Sequence, residues 1–423
     1  MTPPPAPVVT KPVQGRSLSC KDREVEEPVA AKGNGGPAAL SAEGEFSPAQ
    51  DRGMLEWARQ RPDDGFVVGV ALRLRGPRPG PERLASLIAA RLAEVPVLQE
   101  HLDGPPREER WNPFDSFHVG DHVHVLGGGG DPRTGTERMA NQPVPDDRPR
   151  WGVWLLDAER EDEYLLAYRV HHAAQDGAAV AHTIRRLFTD RVPAIPLTGQ
   201  PLEGRRSASC PPCTDDRLLT CTDVPVDTMR AVVRASGASL NDIYLAALAG
   251  AVRTWLSPGA CQQPVPVRVP FNVRLRTERQ DRGNRMGHAR LLLPVDEPSA
   301  GQRLERMVEQ TRFWPRDQIR RILDRAPHHM LWQHIAPSLS PGDALASATL
   351  LGIPTPLAFD GAPVIGSTAM PPLAAGHLFS SALLLCGTRA TVSFTARGEH
   401  QHVRDLPRLW EQELATLAAA TRH

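Results

Sequence analysis

A pair of histidines followed by an Asp-Gly dipeptide is the part of the sequence best suited to acid-base chemistry. His171 and His172 end a predicted strand, and Asp176 and Gly177 come just before a predicted helix. An imidazole has an ordinary pKa of about 6.5, which suits a base that removes a proton from a hydroxyl or an amine. Asp176 can fix the loop by pairing with an arginine, and Gly177 leaves room for a ligand. The segment therefore predicts an acid-base site.

The competing interpretation is that both histidines are structural residues, satisfied within the core at the end of a strand. A second pair, His328-His329, provides an internal comparison, because Met330 and Leu331 follow it and no Asp-Gly dipeptide does. We interpret that second pair as structural. The Asp-Gly context is what distinguishes the first pair.

Apolar periodicity predicts the elements that position the His-His loop. Strands are predicted where apolar residues alternate or run together, at 66–74, 151–156 and 164–170, and the acidic connection 157–162 makes the last two a hairpin. Helices are predicted where apolar side chains recur at helical spacing, at 51–59, from Pro81, at 178–188 and from Asn241 to Leu256. Asn241 is the predicted N-cap of the last of these.

Length and charge limit the classes of function. The chain has 423 residues, with 49 basic and 49 acidic side chains and a formal net charge of zero. This balance gives no support to nucleic-acid binding, and together with 5% aromatic residues it argues for membrane association that is at most weak and peripheral. No targeting or membrane-spanning pattern is found, so a cytoplasmic location is expected.

Cysteines and glycines offer two weaker motifs. Cys210, Cys213 and Cys221 match part of a zinc site, but no second pair completes it, so no metal is predicted. Gly127–Gly130 resembles a phosphate-binding loop only superficially, because no Lys-Ser pair and no apolar helix follow. We interpret the glycine run as a flexible loop.

The His-His segment resembles the HHxxxDG signature of acyl-CoA-dependent acyltransferases and of peptide-forming condensation domains. The flanking sequence is most similar to the bacterial wax ester synthase/diacylglycerol acyltransferase family, over about 47–420. The resemblance rests on motifs spread through the chain: Ser47-Pro48 with Asp51, Val95-Pro96-Val97-Leu98, Phe117 with His122-Val123, Pro143-Val144, Arg148-Pro149-Arg150-Trp151, Asn241-Asp242, Val269-Pro270-Phe271-Asn272-Val273-Arg274, Gly283-Asn284-Arg285 and Asp360-Gly361-Ala362.

The resemblance implies an α/β fold with the two-domain chloramphenicol-acetyltransferase-like architecture, in which helices cover mixed sheets. The implied first domain is 46–191, which contains the HHxxxDG motif, and the second is 223–423. The segment 192–222 is rich in Pro, Ser, Arg and Cys and is predicted to be a crossover linker. The segment 1–45 has few large apolar residues and is predicted to be a disordered leader.

The same resemblance implies an O-acyltransferase of the wax ester synthase/diacylglycerol acyltransferase type. An acyl group would pass from acyl-CoA, or from a carrier-protein thioester, to the hydroxyl of a small-molecule acceptor, with His172 as the general base. Neither a metal nor a bound cofactor is implied, and acyl-CoA is a co-substrate. No covalent acyl-enzyme is required, because no serine or cysteine adjoins the motif in sequence.

Several further residues are expected to support the site. His171 and Asp176 would hold the loop, and Arg274 is the predicted partner of Asp176, with Arg268, Arg276 and Arg285 as competing candidates. Gly283-Asn284-Arg285 is interpreted as a turn that leads into a strand at 288–293. The residues predicted to support substrate binding are Gly177, Arg274, Asn241, Asp242 and Ser381.

Two departures from the family pattern keep other functions open. Leu351-Gly352 stand where the family has a Thr-Asn pair, and Phe379 stands where it has a second asparagine. These changes favour a specialised-metabolite acyltransferase, or a condensation-type enzyme that uses a carrier-protein thioester or an amine acceptor. A catalytically inactive binding module is the third possibility.

Overall fold

A computed structural model describes twelve stretches of the chain: 45–46, 49–60, 66–105, 108–130, 132–158, 160–190, 217–256, 262–314, 316–325, 344–353, 357–374 and 376–421. Some of the predictions concern residues outside these stretches, namely the leader before residue 45, Cys210, Cys213, 192–216 of the linker and His328-His329.

The described residues contain fifteen strands: β1 (Glu45–Phe46), β2 (Val67–Arg75), β3 (Glu100–Asp103), β4 (Arg110–Pro113), β5 (Val123–Gly130), β6 (Trp151–Ala158), β7 (Glu163–His171), β8 (Arg217–Pro225), β9 (Val265–Asn272), β10 (Met286–Leu293), β11 (Ala346–Ile353), β12 (Ala358–Phe359), β13 (Ala362–Met370), β14 (Phe379–Cys386) and β15 (Arg389–Arg397). They also contain nine α-helices: α1 (Ala49–Gln60), α2 (Pro81–Ala89), α3 (Pro132–Ala140), α4 (Gly177–Leu187), α5 (Val226–Ser236), α6 (Leu240–Trp255), α7 (Ala300–Thr311), α8 (Arg316–Arg325) and α9 (Leu406–Ala420). The strands and helices expected from periodicity are present.

Two six-stranded mixed sheets form the framework. Sheet I has the order β12-β13-β2-β7-β6-β5, and sheet II has the order β10-β9-β11-β14-β15-β8. The three remaining strands form a small sheet in the order β1-β4-β3. One cluster of buried apolar side chains packs sheet I against α1, α2 and α4, and a second packs sheet II against α5, α6, α7 and α9. Helices and sheets that each bury one apolar face form this kind of layered α/β arrangement.

The predicted domain limits of 46–191 and 223–423 need correction. Strand β13 lies in the second segment, yet it pairs antiparallel with β2 and so belongs to sheet I. The predicted linker is also too long, because 217–222 are part of β8, which pairs with β15 at the edge of sheet II. Pairing between strands far apart in sequence leaves no local composition signal, which is why the boundaries were misplaced.

The prediction of a flexible loop at Gly127–Gly130 is wrong. These glycines complete β5, the edge strand of sheet I, and Gly130 pairs with Ala158 of β6 after an irregularity in register. Glycine has low strand propensity, but pairing with a neighbouring strand overrides that local preference.

Strand β7 carries the His-His segment to one end of sheet I. It lies between β2 and β6, every residue of it is buried, and His171 pairs with Val67 of β2. Helix α4 begins directly after the loop and buries Val180, Ile184 and Leu187 on one face. The loop is therefore held at both ends by core packing. Within the described residues, no helix combines the length and the apolar character needed to cross a bilayer.

Candidate active site

His172 lines a cavity of about 170 Å³ that has walls from both sheets. Val68 of β2 and Met370 of β13 contribute from sheet I, and Phe271 of β9 and Leu351 of β11 contribute from sheet II. The imidazole itself is buried, and its ring centroid lies 5.6 Å from that of Phe66. The candidate base is thus enclosed by a mainly apolar wall, where a substrate group would be screened from water.

The tautomer of His172 is fixed by a hydrogen bond to Asn284. His172 Nδ1 lies 3.0 Å from Asn284 Oδ1, and Asn284 Nδ2 donates to the His172 carbonyl at 2.8 Å and to Asp51 Oδ1 at 3.1 Å. Carbonyl and carboxylate oxygens only accept, so the amide nitrogen must face them and Oδ1 must face the imidazole. Nδ1 therefore carries the proton, and Nε2 keeps the lone pair that a base needs.

Burial sets the charge of His172. It lowers the pKa of the imidazole below its ordinary value, and the nearby Asp176 carboxylate and the Asn284 bond oppose this shift only in part. The ring is consequently neutral at pH 7 and able to accept a proton.

His171 has a different position and a structural role. Its Nδ1 accepts a hydrogen bond from the Ala173 backbone N–H at 3.1 Å, and it is not among the residues that line the cavity. Burial, together with the positive charge of Arg150, lowers the pKa of His171 to about 3. The neutral ring stabilises the turn after β7. This position agrees with a role of His171 in holding the loop, and it gives no support to a role in catalysis.

Asp176 forms the ion pair with Arg274 that the sequence predicted. Its Oδ1 accepts from Arg274 Nη1 at 2.9 Å and from the Ala179 N–H at 2.9 Å, which makes Asp176 the N-cap of α4. Its Oδ2 accepts from the Arg285 N–H at 2.9 Å. Of the four arginines considered, Arg274 provides the side-chain partner and Arg285 contributes only its backbone.

The loop 283–285 is part of the site, so its interpretation as only a turn is wrong. Arg274 Nη2 donates to the Gly283 carbonyl at 2.8 Å, and the Gly283 N–H donates to the Ala174 carbonyl at 2.6 Å. Gly283 has φ of +74°, and a Cβ there would lie 2.8 Å from Asp51 Oδ2. Only glycine permits this backbone and this close approach. The loop thereby brings Asn284 to His172.

Asn241 and Asp242 are not at the site, and the prediction that Asn241 caps α6 is wrong. The N-cap is Ser239, which forms a capping box with Asp242, while Asp242 Oδ1 accepts from Thr311 Oγ1 at 2.5 Å. The Ser-x-x-Asp spacing was visible in the sequence and names the cap correctly. Ser239 and Asp242 therefore anchor the start of α6.

Ser381 is not among the residues that line the cavity, so the structure gives no support to the predicted contact with substrate. Ser381 is fully buried on β14, and its Oγ accepts from the Tyr244 hydroxyl at 2.8 Å, which ties α6 to sheet II. Phe379 is likewise a core residue, with its ring 5.7 Å from that of Phe394. Strand periodicity turns alternate side chains to opposite faces, and these two do not face the cavity.

One wall of the cavity is polar, which the sequence did not reveal. Arg268 and His288 line it together with the hydroxyl-bearing Ser347 and Thr349. Arg268 is buried. Burial of the His288 imidazole, together with the positive charge of Arg268, lowers the pKa of His288 to about 3. A neutral imidazole and a guanidinium therefore face the same space as His172.

Comparisons with known proteins agree with this architecture. No protein-family model matches the chain. A Mycobacterium tuberculosis protein that bears the name diacylglycerol O-acyltransferase is 22% identical over 252 residues, which cover 49% of this chain. The chain spans only about half of that relative, 55% of its length.

Two solved structures share the fold. The wax ester synthase/diacylglycerol acyltransferase from Marinobacter aquaeolei VT8 has a TM-score of 0.59 and 18% identity, over 85% of this chain and 95% of that one. The starter condensation domain of rhizomide synthetase, in complex with C8-CoA and Leu-SNAC, has a TM-score of 0.60 and 12% identity, over 90% and 95%. The predicted fold class is confirmed.

Proposed function

We propose that this chain is a member of the wax ester synthase/diacylglycerol acyltransferase family and that it transfers an acyl group from an acyl thioester to an acceptor hydroxyl. His172 Nε2 removes the proton of the acceptor as its oxygen attacks the thioester carbonyl. The C–O bond forms, the C–S bond breaks, and the imidazolium returns the proton to the leaving thiolate. Atoms and charge balance without a cofactor.

The observation that carries this proposal is the 3.0 Å contact between His172 Nδ1 and Asn284 Oδ1 beside the cavity. Asn284 holds the proton on Nδ1, so Nε2 is the basic nitrogen, and the ring lines a cavity. The protein partner of the ring is an amide, and no Ser or Cys hydrogen bond to the ring is seen among the described residues. Direct transfer, with His172 as base, is therefore favoured over a covalent acyl-enzyme.

The apolar wall supports an acyl donor. Phe66, Val68, Phe271, Leu351 and Met370 all line the cavity, and burying alkyl surface against such side chains contributes about 25 cal/mol per Å². Acyl-CoA is the proposed donor, and a carrier-protein thioester is the alternative. Because acyl-CoA is an intracellular metabolite, the proposal includes a cytoplasmic location.

A polar acceptor is the second candidate, and the polar wall favours it. Arg268 and His288 face the cavity with Ser347, and these side chains can form hydrogen bonds to an acceptor that carries anionic or strongly polar groups. A long-chain alcohol or a diacylglycerol offers little to such a wall. This observation supports a specialised-metabolite acceptor, with either a hydroxyl or an amine as nucleophile.

An acceptor panel tests the proposed function. The full chain is incubated with acyl-CoA of several lengths and with long-chain alcohols, diacylglycerol, hydroxy acids and amines, and products are identified by mass spectrometry. Ester formation with release of free CoA supports acyl transfer, and the preferred acceptor separates the two candidates. A folded protein that turns over no donor and acceptor pair would contradict the proposal and favour a binding module.

Gly177→Ala is expected to raise the KM for the acyl donor about tenfold and to change kcat less. A Cβ at Gly177 would lie 2.7 Å from a δ-methyl of Leu351, and both residues line the cavity. Overpacking costs about 1–3 kcal/mol, and the lower half of that range applies because the δ-methyl is the movable end of the Leu351 side chain. A cost of ~1.4 kcal/mol is a factor of ten in binding. Steady-state kinetics with acyl-CoA measure the effect.

Two further variants complete that test. Leu351→Ala in the Gly177→Ala background is expected to restore the KM, because it removes the clashing methyl group. Gly120→Ala is the matched control, since a Cβ there meets nothing within 4 Å. An unchanged KM for Gly177→Ala would show that the acyl donor does not pass this point.

A further inference from the structure

Asp51 lies directly behind Asn284, on the side away from His172. It is on α1, separated by 233 residues from Asn284, and it is fully buried. Its Oδ1 accepts from the Asn284 N–H at 2.6 Å and from Asn284 Nδ2 at 3.1 Å, and its Oδ2 accepts from Trp111 Nε1 at 3.3 Å. Both donors of Asn284 that face α1 therefore end on one carboxylate oxygen.

We propose that Asp51 is a positioning residue for acyl transfer, acting through Asn284 to fix the tautomer of His172 and to increase its basicity. This inference rests on the proposed function, in which His172 Nε2 is the base. Asp51 does not line the 170 Å³ cavity, so it acts on the imidazole through the amide rather than on the substrate.

The first effect of Asp51 is orientation. An Asn side chain can turn by 180° and exchange its oxygen for its nitrogen, and only its hydrogen-bond partners decide between the two states. Asp51 and the His172 carbonyl both require a donor, so they hold Nδ2 away from the ring and Oδ1 toward it. The Ala173 carbonyl, 3.3 Å from Nδ2, is a third acceptor, so loss of Asp51 removes one of three constraints, and the only charged one, that keep the proton of His172 on Nδ1.

The second effect is polarisation. Hydrogen bonds in a chain strengthen one another in a buried, low-dielectric environment. The Asp51 carboxylate accepts a hydrogen bond from Nδ2 of Asn284 and polarises the amide. The polarisation increases the negative charge on Oδ1, which becomes a better acceptor for the Nδ1–H of His172. That acceptor stabilises the imidazolium formed during proton transfer, as the aspartate behind a catalytic histidine does in hydrolase triads.

The charge on Asp51 depends on pH within the working range. Burial raises the pKa of Asp51 to about 6, against bonds from Asn284 and the charge of Arg285, which lower it. The charged groups around it are Arg52 on the same helix, and Glu278, Arg279, Arg282 and Arg285, which line with it a second cavity of about 210 Å³. The His172 pKa is lowered by burial, so the titration of the imidazole itself lies below its ordinary value.

Protonation of Asp51 is expected to lower kcat/KM. Above about pH 6 Asp51 is a carboxylate and the chain of hydrogen bonds is charge-assisted. As the pH falls through about 6 the carboxylate takes up a proton, and kcat/KM is expected to fall before His172 itself is protonated. This fall of kcat/KM on the acid side of the pH profile, the acid limb, should disappear when Asp51 is replaced by a residue that does not titrate.

Kinetics of two variants test the proposal. Asp51→Asn keeps an acceptor oxygen without the charge, and Asp51→Leu removes both. We expect kcat to fall roughly tenfold for the first and roughly 100-fold for the second, with KM changed less than threefold, and no acid limb near pH 6 in Asp51→Asn. Asp227→Asn is the matched control, because the Asp227 side chain is 78% exposed. An unchanged kcat, or a limb that stays near pH 6 in Asp51→Asn, would overturn the proposal.

A measurement that needs no turnover separates this inference from the proposed function. In 15N-histidine NMR of the full chain, with His172→Gln identifying the signal, we expect a pure Nδ1–H tautomer for wild-type His172. We expect a mixture of tautomers in Asp51→Leu. A pure Nδ1–H tautomer in a folded Asp51→Leu would refute the role of Asp51, whether or not the wild-type protein transfers acyl groups.

Discussion

Replacing His172 by alanine is expected to lower kcat for acyl transfer by about 10³-fold, within the 10²–10⁴-fold range of general-base catalysis. The imidazole is neutral, its Nδ1 proton is fixed by Asn284, and the ring lines the cavity. His288 and His377 also line the cavity, but His172 is the ring whose Nδ1 bonds to Asn284 and whose Nε2 is thereby left basic. Steady-state release of free CoA measures the effect.

Controls for the His172 variant exclude damage to the fold. His172→Gln keeps most of the side-chain volume and is expected to lose activity to a similar degree. His118→Ala removes an exposed histidine and should retain wild-type kcat. Wild-type turnover by a folded His172→Ala protein would mean that another group removes the acceptor proton.

Asp176→Ala is expected to lower the free energy of unfolding by about 3–5 kcal/mol, because it leaves a buried guanidinium without its carboxylate. The side chains of Asp176 and Arg274 are 4% and 1% exposed. The same change removes the N-cap of α4, which costs about 1 kcal/mol, and releases the Arg285 N–H. The midpoint of urea unfolding measures the loss.

Two comparisons identify burial as the cause of that loss. Asp227→Ala breaks an exposed pair with Arg230 and is expected to cost about 0–1 kcal/mol. The double variant Asp176→Leu/Arg274→Met removes both charges and should be more stable than Asp176→Ala, because apolar residues of similar volume replace a buried ion pair at little cost. A loss below ~1 kcal/mol for Asp176→Ala would contradict the structural role of the pair.

The sequence predicted the parts of the site that depend on local pattern. The apolar run before His171 and the helical spacing after Gly177 gave a strand, a loop and a helix, and the structure has β7 and α4 there. Local rules were sufficient for these elements because each is determined by its own neighbours in the chain. The pairing of Asp176 with Arg274, 98 residues apart, followed instead from the ability of an arginine to bind a carboxylate, and charge alone left Arg268, Arg276 and Arg285 as candidates.

The predictions that were wrong or missing concern contacts between segments that are distant in sequence. Asn284 and His172 are 112 residues apart, and the spacing of either one gives no sign of the other. Gly283 was predicted as a turn residue, and its positive φ fits a turn, but the reason for the turn is the approach to Asp51. Strand β13 joined sheet I for the same kind of reason, since its partner β2 is far away in sequence.

A single-turnover experiment tests the central claim most directly. Enzyme in excess is mixed with labelled acyl-CoA and a competent acceptor. The masses of the protein and of the small molecules are then followed over time by mass spectrometry. Direct transfer by His172 predicts that acylated acceptor and free CoA appear in equal amounts, with no acylated protein at any time, and that His172→Ala forms product about 10³-fold more slowly. Accumulation of an acyl-protein, or equal product from His172→Ala, would contradict it.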